Sequence, residues 1–132
     1  MLDTVVQAKD IHKTYKSQEI LHILKGIDFE LKKNESIAIM GASGVGKTTL
    51  LHILGTLESF DAGSLEIMNK KSFTNEIRNS HIGFIFQSYN LIDDLTLLEN
   101  ILMPASIARK NVHPNSESFK RALFLLQEVG LE

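Results

Sequence analysis

One stretch constrains this chain more than any other. Gly41-Ala42-Ser43-Gly44-Val45-Gly46-Lys47-Thr48 satisfies the spacing G-x-x-x-x-G-K-[ST]. Glycines allow positive φ and leave no side chain between backbone and ligand. Successive N–H groups can then converge on phosphate oxygens. Ser36 to Met40, just before the loop, is a short, nearly unbroken apolar run, which predicts a strand covered on both faces. After it, Leu50, Ile53, Leu54 and Leu57 fall at i, i+3, i+4 and i+7 and predict one face of a helix over 47–57. The loop therefore opens onto a helix N-terminus, where unpaired N–H groups and the helix dipole favour negative charge. Lys47 would place an ammonium on the β and γ phosphates, and the Thr48 hydroxyl would ligate Mg²⁺. The pattern points to a nucleoside triphosphate, and its strand–loop–helix setting argues against a flexible surface loop rich in small residues.

Elsewhere the chain reads as strands first and helices later. Val5 to Lys16 and Leu21 to Lys32 mix β-branched, aromatic and polar residues, with Ile27, Phe29 and Leu31 alternating against Asp28, Glu30 and Lys32. Lys33-Asn34-Glu35 and Asp61-Ala62-Gly63 predict turns, the second leading into a strand through Leu65 and Ile67. Asn69 to Ser80 reads as polar linker or a short helix, and Ile82 to Phe86 as a second compact strand. Thr96 with Glu99 gives a capping-box pattern before Leu98, Ile101, Leu102 and Ala105. Pro104 is expected to kink or end that helix. Phe119, Ala122, Leu123 and Leu126 mark a last helix, with Gly130 at its left-handed cap. This order is that of an α/β chain.

Composition narrows the field without choosing within it. The 132 residues carry a net charge of −2, with seven basic and nine acidic residues up to position 66 and seven of each beyond it. No basic face emerges, so no nucleic-acid partner is expected. The absence of cysteine excludes a disulfide scaffold or thiolate metal site and fits the cytosol. The chain holds no run of ~18 apolar residues and no basic-then-apolar start, so neither a membrane span nor a secretory signal is expected. His12, His22, His52, His81 and His113 lack metal-ligand spacing. Asp93-Asp94 reads as a polar loop, Arg109-Lys110 as a solvated helix end, and Met40, Met68 and Met103 as core filler.

The loop with its extra Ser43, Gly44 and Thr49 resembles that of ABC transporter ATPase subunits, a branch of the P-loop NTPases. Leu50-Leu51-His52-Ile53-Leu54-Gly55 with Ala62-Gly63-Ser64, Ile82 to Gln87, Asn90-Leu91, Leu95-Thr96 and Leu98-Glu99-Asn100-Ile101 continue the likeness along essentially the whole chain. Within the family, Glu76 to Asn79 and Glu99 to Pro104 look like the ATPases of lipoprotein-releasing systems, with macrolide-exporter and FtsE-like ATPases as close relatives. The resemblance implies an N-terminal antiparallel β subdomain and phosphate-loop core over about 1–87, and a Q-loop and helical region over about 87–132. It gives Tyr15 the place of the aromatic that stacks on adenine. Gln87 takes that of the Q-loop glutamine, which touches metal and attacking water. Gly41, Ala42, Ser43, Gly44, Val45, Gly46, Lys47, Thr48 and Thr49 hold ATP; Thr48 and Gln87 meet Mg²⁺; Lys47 and Gln87 serve catalysis. The partners implied are a second ATPase subunit and integral membrane subunits met through the Q-loop region. The place implied is cytoplasmic, peripheral on the inner face of the inner membrane.

The family pattern continues with L-S-G-G-Q/E, an apolar strand ending in Asp-Glu, and a switch histidine, none of which occurs in these 132 residues. They read as the N-terminal portion of one nucleotide-binding domain. Its parallel core sheet should be incomplete, and the strand leading into Gly41 should lack neighbours. Positioning and electrostatics supply nearly all catalysis in phosphoryl transfer, so these residues alone should hydrolyse ATP poorly or not at all. Two readings stand: the ATPase part of an exporter, and a non-catalytic nucleotide-binding or interaction module.

Overall fold

Two antiparallel strands lead the chain, β1 (Thr4–Lys16) and β2 (Ile20–Lys32), as the alternation in their sequences predicts. The structure, a computed structural model, describes residues 4–16, 19–71 and 75–131. The turn at Lys33-Asn34 follows, with Asn34 at φ 62°. Next come the glycine-rich loop and α1 (Lys47–Leu54), then β3 (Ala62–Ile67), which pairs antiparallel with β1 to give a sheet of order β2-β1-β3. Ala8, Ile11, Leu24, Leu65 and Ile67 of the sheet are buried, as are Leu50, Ile53 and Leu54 of α1. These apolar side chains form the core of a first compact unit, Met1–Thr74. Gly63 shows how tightly β3 meets β1: at φ 107°, any Cβ there would fall onto the carbonyl oxygens of Lys9 and Asp10.

The second compact unit, Asn75–Glu132, holds α2 (Asn75–His81), α3 (Leu97–Ile107) and α4 (Glu117–Glu128). α3 begins with the predicted capping box: Glu99 N–H donates to Thr96 Oγ1 at 3.3 Å, and Thr96 N–H donates to Glu99 Oε2 at 2.8 Å. α4 is capped by Ser116 and closes in a Schellman motif, with Leu131 N–H on Leu126 O at 2.9 Å and Gly130 N–H on Gln127 O at 3.0 Å. α3 and α4 pack together, yet Ile77 and Ala122 are the fully buried apolar residues here, and Leu123 and Phe124 stay exposed.

Four expectations are corrected. Ser36–Met40 and Ile82–Phe86 are not strands: among the described residues neither pairs with a neighbour, and there is no parallel pair. A strand exists by its ladder, so an apolar run without a neighbour remains single. Phe84 and Phe86 still share one side, their rings stacked at 5.4 Å as i, i+2 geometry allows. Side chains of both runs are open, with Met40, read as part of a strand covered on both faces, at 88% and Ile85 at 100% of full exposure. Met40 and Met68 are therefore exposed rather than core filler. α1 ends at Leu54, where Gly55 caps it, so Leu57 lies outside the helix and is exposed. Finally, α3 runs through Pro104 to Ile107, because proline forfeits only its own bond to the preceding turn while later N–H groups, such as that of Ala108 onto Pro104 O, continue the pattern.

Candidate functional site

Gly46 sets the geometry of the glycine-rich loop. It is the N-cap of α1 at φ 98°, in the left-handed region, and makes no side-chain cap. A Cβ on it would lie 2.7 Å from Ile23 Cγ2 of β2, so the loop enters the helix against the sheet. The first N–H groups of α1 are thus left without a side-chain acceptor from the cap. Lys47, the first helical residue, turns back over the loop and donates through Nζ to Gly41 O at 2.9 Å and Ala42 O at 2.6 Å. Its ammonium therefore sits over the backbone that the spacing assigned to phosphate. Ala42, Ser43, Gly44, Val45 and Thr48 are exposed, and Thr49 is half-buried.

Tyr15 stands near the end of β1, paired with Leu21 of β2 and 39% exposed. The connection from α1 to β3 runs alongside and holds this strand end. Thr14 N–H donates to Asp61 Oδ2 at 2.6 Å, and Asp61 N–H donates to His12 O at 2.8 Å. The Tyr15 hydroxyl donates to Glu58. Glu58 also meets Lys13 Nζ at 3.2 Å, and that buried ammonium donates to Ser59 O at 2.7 Å and lies 5.3 Å from the Tyr15 ring centroid. The hydrogen bond to Glu58, and then burial, raise the Tyr15 phenol above its ordinary value, with a weaker opposing pull from the Thr49 side chain. Burial alone would raise Glu58. Hydrogen bonds from Tyr15 and Lys13, with the charges of Lys13 and His52, outweigh it and hold the carboxyl below its ordinary value.

The first unit thus carries the loop residues, Lys47, Thr48, Thr49 and Tyr15, while Gln87 belongs to the second, exposed on a bend after Phe86. Asp93 and Asp94 lie in a turn, as their polar surroundings predict. Lys13, Glu58 and Asp61 escaped the sequence reading. Lys13 had a usable signal, its i, i+2 spacing to Tyr15 on one strand. Glu58 had none, since it lies 43 residues from Tyr15 and meets it only through the fold. Among the described residues, no cluster of three or more His, Cys, Asp or Glu could hold a metal, and no helix is long and apolar enough to cross a membrane.

Comparison with known proteins gives a consistent result. The sequence pattern of the ABC transporter family matches residues 24–132. The lipoprotein-releasing system ATP-binding protein LolD of Protochlamydia amoebophila is 45% identical over 97% of this chain, and that of Cytophaga hutchinsonii is 44% identical over 99%. The bacitracin export ATP-binding protein BceA of Halalkalibacterium halodurans is 42% identical over 96%. The chain spans 58%, 60% and 52% of the length of these three relatives. The ATP-binding cassette MJ0796, solved as a dimer in a post-hydrolysis state with ADP and Pi, superposes with a TM-score of 0.83 at 39% identity, covering 96% of this chain and 58% of that one.

Proposed function

The chain belongs to the ABC transporter family of ATP-binding proteins, and from that premise we propose that it binds ATP for an exporter that releases lipoproteins from the inner membrane. The observation that carries this reading is the Gly41–Thr48 loop, entering an α1 without a side-chain cap, with the Lys47 ammonium folded over it. A triphosphate would take the Lys47 ammonium from the carbonyls of Gly41 and Ala42 onto its β and γ oxygens, and the loop N–H groups would receive the rest of its charge. Tyr15 offers its ring to the adenine, and the Thr49 side chain lies beside its hydroxyl.

Magnesium fits these residues. A Mg²⁺ ion held mainly by phosphate oxygens and water asks the protein for only one or two oxygen ligands. The exposed Thr48 hydroxyl, in the first turn of α1, is one. When bound, the ion neutralises charge on the β and γ phosphates. Lys47 adds a fixed positive charge where negative charge develops, and the family likeness assigns the Q-loop role to Gln87. Residues of about 1–87 and 87–132 then act as phosphate-loop core and coupling region of one nucleotide-binding domain. It pairs with a second ATPase subunit, meets membrane subunits through the region of Gln87, and works at the cytoplasmic face. Since L-S-G-G-Q/E, the Asp-Glu strand end and the switch histidine do not occur in these 132 residues, the same proposal has them hydrolyse ATP poorly by themselves.

Titration calorimetry with Mg-ATP, run beside a phosphate-release assay, tests this. Lys47→Ala is expected to weaken binding by about tenfold or more through loss of charge-assisted hydrogen bonds. Unchanged ATP affinity in that variant overturns the phosphate-loop reading. Robust turnover by the 132 residues overturns the dependence on the missing groups.

A further inference from the structure

A ring that stacks on a base contributes most when its plane is already fixed, because an unrestrained phenol must be ordered on binding. In this chain two residues outside the recognised motif hold the Tyr15 ring. Lys13 and Tyr15 lie at i, i+2 on β1, and the buried Lys13 ammonium is 5.3 Å from the ring centroid, close enough for a cation–π contact. That ammonium is anchored at 2.7 Å on Ser59 O and 3.2 Å from the Glu58 carboxylate. The same carboxylate accepts the Tyr15 hydroxyl. Glu58 in turn hangs from α1: the N–H groups of Leu57 and Glu58 both donate to His52 O, at 2.8 and 3.3 Å. A continuous set of bonds therefore leads from the phosphate loop through α1 and Glu58 to the ring, within one compact unit.

We propose that Lys13 and Glu58 are a positioning pair for Tyr15, which fixes the ring's plane and its distance from the glycine-rich loop so that base and phosphates of one nucleotide are met together. The proposal rests on the reading of Tyr15 as the base-stacking residue. It makes the pair a determinant of preference for adenine nucleotides over bare polyphosphate.

The test measures Mg-ATP and Mg-tripolyphosphate affinities by calorimetry on the whole chain. Tyr15→Phe keeps the ring and loses its hydroxyl; Glu58→Ala removes the acceptor. Each is expected to weaken ATP binding about three- to tenfold, as loss of one hydrogen bond allows, and to leave tripolyphosphate unchanged. The double variant should bind no worse than the weaker single, and Glu58→Gln, which still accepts from the phenol, should recover most of the loss. The chain has two tyrosines and no tryptophan, so in a Tyr89→Phe background the emission reports Tyr15 alone. Replacing Glu58 by Gln should raise that emission by removing the quenching carboxylate. If Tyr15→Ala loses ATP affinity while Tyr15→Phe and Glu58→Ala do not, the ring stacks without being positioned, and the proposal fails while the stacking reading stands. If Tyr15→Ala binds ATP normally, the stacking reading itself falls and takes this proposal with it. A parallel fall in tripolyphosphate affinity reduces the pair to a support of the fold and also overturns it.

Discussion

Glu58 works against its own burial, and its ionisation links the site to folding. Its folded pKa is depressed, so its contribution is present above the unfolded carboxylate value and fades as pH falls through the folded one. Tyr15 has the opposite sign. Its folded pKa is raised, so its contribution holds below the unfolded phenol value and is lost as pH climbs through the folded one. Thermal melts across pH should show both limbs, and Glu58→Gln should flatten the acid one; an unchanged acid limb would mean that the contact is not maintained in solution. At Gly46, the φ of 98° and the 2.7 Å approach of Ile23 make alanine costly. Gly46→Ala should destabilise the first unit by about 1–3 kcal/mol in urea titrations. The spacing of Gly46, Lys47 and Thr48 announced the loop, because a phosphate cradle demands those residue types in that order. Glu58 stayed illegible, because its meaning depends on a turn that returns the chain to β1, whereas Lys13 could be read beside Tyr15 on one strand but without its acceptors.

At the scale of elements, the parts written locally were readable and those needing a distant neighbour were not. The capping box of α3 and the Schellman ending of α4 depend on residues within one turn and formed as expected. The thresholds for strand formation are different. Ser36–Met40 and Ile82–Phe86 have the composition of buried strands, but a strand also requires an adjacent one, and none pairs with them among the described residues. The Thr96 cap makes a clean prediction. Thr96→Ala should cost about 1 kcal/mol of helix stability, read by circular dichroism during denaturation, while Thr96→Asp should retain most of it. An equal loss in both would show that the hydroxyl matters for something besides the cap.

For the molecule as a whole, the division of apolar side chains matters most. Ile11 and Ile53 are fully enclosed, whereas Met40 and Ile85 are almost fully open and Ile37 is partly so, at 43%. Such open runs favour association. Sedimentation should therefore show concentration-dependent self-association, and Met40→Lys combined with Ile85→Lys should reduce it; a parent chain that stays monomeric at high concentration would count against this. A substitution scan scored on foldedness alone should separate two groups that look alike in sequence. Polar replacements at Ile11 or Ile53 should be intolerable, while the same changes at Ile37, Met40 or Ile85 should pass unnoticed. Mutational tolerance at those positions would mark hydrophobicity that the folding of these 132 residues does not use.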